Sequence, residues 1–129
     1  MPRVTEVRFH DDLHLVRYLE GREGKLFVVS RPYRVTWYLD GEPMSWIVPK
    51  GTETDLASIP TIVPKWIAQK VGGHIEAAVI HDHLCIVKPI VIGYREAAEV
   101  FLGGMVACGV PVWRRELMYR AVLIGGPKW

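Results

Sequence analysis

Over the first fifty residues apolar and polar side chains alternate with the period of two that marks strands, over residues 4–9, 13–19, 25–30, 33–39 and, more briefly, 45–48. Turn formers separate these runs. Glu20-Gly21-Arg22-Glu23-Gly24 carries two glycines, and Asp40-Gly41-Glu42-Pro43 is a strong hairpin signal. This half reads as an antiparallel β meander. A loop over residues 49–54 follows, and from Ser58 onward the period shifts towards 3.6. Ser58 is placed to cap a short helix that begins near Pro60, and three further helices are predicted over residues 74–86, 94–108 and 112–124. Strands first and helices afterwards predict an α+β fold: a β half over residues 1–50 and a C-terminal bundle of three to four helices over residues 58–125, in one domain.

Composition narrows the class without deciding the function. The chain has 129 residues, half of them hydrophobic and 23% charged, which excludes disordered, fibrous and coiled-coil types. Sixteen basic against 14 acidic side chains, spread along the whole length, leave no electrostatic footprint for nucleic acid. Lys50, Lys65, Lys70, Lys88 and Arg95 interrupt every apolar run, so no membrane span is expected. The charged first twenty residues leave no room for a secretory signal of the usual kind. Cys85 and Cys108 fall in apolar helical contexts and read as reduced core thiols with no activating base nearby in sequence. A mean hydropathy of +0.13 is high for so small a chain and points to apolar surface that meets a partner.

Two polar clusters interrupt apolar surroundings. The first runs from Thr54 and Asp55 through Ser58 to Pro60, where Asp and Ser also read as caps on free helix-end N–H groups. The second is His81-Asp82-His83, where His81 also reads as a buried histidine bonded within the core. If the helices on either side of the Lys88 to Gly93 turn lie antiparallel, His81 comes opposite Ala98 or Glu99. A carboxylate at Glu99 would then orient the imidazole for water activation, with Asp82 and Asp55 as oxygen ligands for a hard cation such as calcium. His81 and His83 are about 200° apart around a helix, which disfavours a shared zinc. Gly103-Gly104 inside a predicted helix implies the close approach of a neighbour. Tyr33, Trp37 and Trp46 read as core filling rather than as a stacking platform.

Val48-Pro49-Lys50-Gly51, Thr54-Asp55-Leu56-Ala57-Ser58-Ile59-Pro60, Ala77-Ala78-Val79-Ile80-His81-Asp82, Glu96 to Phe101 and Gly109-Val110 through Met118-Tyr119 together resemble a small phage and prophage family described only as a domain of unknown function. The resemblance covers roughly the last two thirds of the chain. It implies a gene among phage structural and lysis genes, and a His-Asp helix pair similar to that of secretory-type phospholipases. There histidine activates water, the adjacent aspartate binds calcium and a distant carboxylate orients the histidine. This chain departs from the family at Thr61, where arginine is usual, at His83 and Cys85, where aromatic residues are usual, and at Ala98, where the third carboxylate belongs. An imidazole without its orienting acid loses orders of magnitude in rate.

The resemblance therefore implies first a virion component of the tail, baseplate or head-tail region. Its partners would be other phage structural proteins, it would form a homo-oligomer or ring, and it would occupy the host cytoplasm before assembly. Trp113 and Trp129 are the expected interface anchors, and no cofactor is needed. The second implied reading is a calcium-assisted hydrolase of lipid or cell-envelope substrates.

Overall fold

Alternation places the strands almost where the pattern predicts them. The computed structural model describes residues 3–22, 25–54 and 74–129. Among the described residues, six strands, β1 (Val4–Phe9), β2 (Leu15–Arg22), β3 (Lys25–Val29), β4 (Tyr33–Leu39), β5 (Glu42–Val48) and β6 (Glu53–Thr54), precede three helices: α1 (His74–Val87), α2 (Tyr94–Ala107) and α3 (Val112–Gly125). The fold is α+β. The strands are all antiparallel and form two three-stranded sheets, ordered β1-β4-β5 and β2-β3-β6. β2 pairs with β3, a hairpin joins β4 to β5, and β1 pairs with the distant β4. Asp40 and Gly41 both take positive φ, the backbone of a two-residue turn whose twist matches that of its strands.

The alternation in β1 slips by one residue between Val4 and Val7, and a bulge explains why. Three steps along β1, from Thr5 to Arg8, oppose two along β4, from Tyr38 to Thr36. One extra residue restores the inward direction of Val7 after Val4, and both are buried. Tyr33, Val35 and Trp37 of β4 point to the same interior, with Val48 of β5. Tyr33 and Trp37 are thus core residues, as their pattern predicts.

Helix α1 is apolar around most of its circumference because it is packed on two sides. Val79, Ile80 and Leu84 join the sheet residues in one cluster, while Ala77 and Ala78 join Phe101, Met105 and Met118 in a second. The crossing of α1, α2 and β1 needs the paired glycines. A Cβ on Gly103 would overlap Val7, and one on Gly104 would lie 2.9 Å from the Ala77 Cβ and 3.0 Å from the Phe9 ring. Gly104→Ala is therefore expected to lower stability by about 1–2 kcal/mol in urea unfolding, overpacking outweighing alanine's helix advantage of about 1 kcal/mol.

Polar contacts tie α2 to the start of β1, and the C-terminal residue to the α1–α2 turn. Glu99 Oε1 accepts the backbone N–H groups of Arg3 at 2.7 Å and Val4 at 2.9 Å, which anchors the start of β1 on α2. The Arg3 guanidinium grips Asp40 in the β4–β5 turn and reaches Glu96 at 3.2 Å. At the other end, the Trp129 indole donates to Ile92 O at 3.0 Å. Among the described residues, no helix is long and apolar enough to cross a membrane.

Candidate functional site

His81 lies in the middle of α1, and its neighbours are set by how α1 meets α2. Ala77 contacts Gly104, and one turn further on His81 contacts Phe101, so the two helices run antiparallel as the short turn between them requires. The residue across from His81 is thus Phe101, two to three positions beyond the Ala98 or Glu99 expected from counting back from the turn. The ring centroids of His81 and Phe101 are 5.3 Å apart, tilted by 30°.

The expected pairing of Glu99 with His81 is therefore corrected. One residue along a helix is a 100° rotation, and it carries Glu99 away from α1 and onto the β1 amides. Ala98, where the resembled family has its carboxylate, is buried in the apolar cluster with Phe101 and Met105. A second reading is corrected at Cys85. The sequence appeared to give this thiol no basic neighbour, yet Cys85 Sγ lies 3.6 Å from His81 Nε2 and 3.9 Å from Nδ1. The signal was present as a four-residue helical spacing.

The electrostatics of this pair are those of a dry interior. His81 is 4% exposed, and burial pushes its pKa down to about 4. Burial, reinforced by the charge of Asp82, pushes the Cys85 thiol up to about 12. The two groups therefore stand as neutral thiol and neutral imidazole at neutral pH, the opposite of the thiolate–imidazolium pair that a cysteine nucleophile uses. Cys108 is likewise raised, to about 11, chiefly by burial.

The other members of the polar cluster have surroundings of their own. Asp82 is half-buried, and its charge is felt at Tyr33 and Cys85. His83 is buried with its ring edge-on to Trp46, centroids 5.9 Å apart, and burial lowers its pKa. Thr54 closes β6, whereas Asp55, Ser58 and Pro60, with the helix expected near Pro60, lie outside the described residues. Among the described residues, no three His, Cys, Asp or Glu side chains gather as ligands for a metal ion. Of the two expected interface anchors, Trp113 is 52% exposed on the first turn of α3, while Trp129 packs against the chain's own core.

Comparison with known proteins places the chain among relatives described in equally general terms. It is 38% identical over 114 residues to the uncharacterized protein y4jT of Sinorhizobium fredii, covering 88% of this chain and 32% of that one. It is 36% identical over 93 residues to the uncharacterized protein y4iH of the same organism, covering 71% of this chain and 38% of that one. The chain thus spans about a third of the length of the curated relatives it matches. No solved structure matches it significantly. A family model described as a protein of unknown function, DUF1353, matches residues 27–122, from β3 almost to the end of α3. The chain belongs to the DUF1353 family.

Proposed function

We propose that this chain is a phage or prophage component that works through its surfaces, as a structural or assembly element of the virion, with His81 kept as a packing residue. The observation that carries the reading is the seating of His81: buried, stacked on Phe101 and held neutral beside a neutral thiol. Glu99, the carboxylate nearest in sequence to the family's third site position, is committed to β1. Ile86, Val87, Ile90 and Val91 around the α1–α2 turn, with Trp113 on α3, are exposed apolar side chains of the kind that subunit contacts use. The phage setting itself rests on the motif resemblance.

The test pairs location with activity. Particles purified from the induced host are expected to carry the chain through a density gradient. The isolated protein, with or without calcium, is expected to show no His81-dependent turnover of phospholipid or peptidoglycan. A chain that stays in the soluble fraction free of particles overturns the structural reading. Turnover abolished by His81→Ala would establish the hydrolase instead.

A further inference from the structure

The outward face of the β1-β4-β5 sheet holds a cavity of about 350 Å³, apart from the surroundings of His81. The β1 bulge makes it. Where the extra residue interrupts the pleat, Glu6 takes a φ of 53°, in the left-handed region that a glutamate adopts at a cost. Such backbone outliers collect at ligand sites. Glu6, Arg8, Thr36, Tyr38 and Ser45 line it, and Pro43 and Met44 add apolar surface. His10 Nε2 lies 2.7 Å from Thr36 Oγ1 and fixes the position of that hydroxyl.

The size and chemistry of this hollow narrow its occupant. Small-molecule sites hold roughly 300–1,000 Å³, so a single small ligand fits. One carboxylate and one guanidinium on the walls offset each other, which gives neither a polyanion nor a polycation an advantage. An apolar ligand would leave both charged groups and two hydroxyls without return for their lost water. A ligand with many hydroxyls can donate to Glu6 and accept from Arg8, and exchange either role with Thr36 and Ser45. The Tyr38 ring, 40% exposed, offers the flat apolar surface on which the C–H face of a sugar ring rests. We infer that this face of the sheet binds a neutral saccharide unit.

The site is independent of the assembly role proposed above, and it can be tested on the isolated chain. Isotope-labelled protein is titrated with glucose, N-acetylglucosamine and maltose as probes, and with sodium sulfate as an anion control. At least one saccharide is expected to shift the amide resonances of Arg8, Thr36 and Ser45 with millimolar or tighter affinity. Arg8→Ala and Tyr38→Ala, both at outward-facing positions, should each weaken binding by about fivefold or more, which is about 1 kcal/mol. Arg120→Ala, on exposed α3 surface, should bind as the parent does. No saccharide shift at these amides in the unsubstituted chain, a response to sulfate alone, or site variants that both bind as tightly as the parent overturns the inference.

Discussion

Phe101→Ala is expected to cost about 3–5 kcal/mol of unfolding free energy, towards the upper part of that range. Phe101 has no exposed surface, and it fills the junction of α1, α2 and α3. Its removal leaves a hole whose other walls include Ala77, Ala78 and Ala98. Alanines have no side chain beyond Cβ to move into the space, so the helices would have to shift for the hole to close. Gly104, already seated against Ala77, limits such a shift. A chain of this size has a total stability of about 5–15 kcal/mol, so the variant should fold but unfold at much lower urea. Phe101→Leu, which keeps most of the volume, should cost about 1–1.5 kcal/mol. A loss below about 1.5 kcal/mol for the alanine variant would mean that the three helices do not pack around this ring.

The sequence patterns carried most of the architecture, because strand and helix periods are local properties of a chain. Alternation located β1 and β4 to the residue, and Gly109 and the prolines ended the helices close to where they end. The paired glycines at Gly103 and Gly104 also announced a contact, although not its partners, which are Val7, Phe9 and Ala77. What local pattern could not supply was register between distant elements. The β1–β4 pairing is set by burial of Val4 and Val7 with Trp37, not by any turn between the strands. The helix pair had its own marker in the small residues. Placing Ala77 against Gly104 brings Phe101 to His81 and rotates Glu99 out of reach, whereas counting from the turn does neither. The candidate site was legible as a cluster of residue types, but its chemistry depended on two or three residues of register.

Stability is expected to fall by about 3 kcal/mol as the pH is lowered from about 6.5 to about 4, chiefly through His81. The direction follows from which state holds the proton. In the unfolded chain the imidazole titrates near 6.5, whereas in the native core burial lowers its pKa to about 4. Between those values the unfolded state binds the proton and the native state does not, so acid draws the equilibrium towards unfolding. Above about 6.5 the contribution is fully present, and below about 4 the loss from this group is complete. His83, lowered in the same direction by partial burial beside Trp46, adds to the loss of stability on acidification below about 6.5. Urea unfolding of the parent and of His81→Leu across this range should therefore separate the two histidines: most of the pH dependence disappears in the variant, and what remains belongs to His83 and to the carboxylates. The ring itself provides the second reading. An imidazole proton resonance that titrates near 6.5 in the folded chain would mean that His81 meets water, and the case for a packing residue would fail at that point. Phe101→Ala couples the two experiments, because a cavity that admits water beside His81 should raise its native pKa and flatten the acid slope even as overall stability falls.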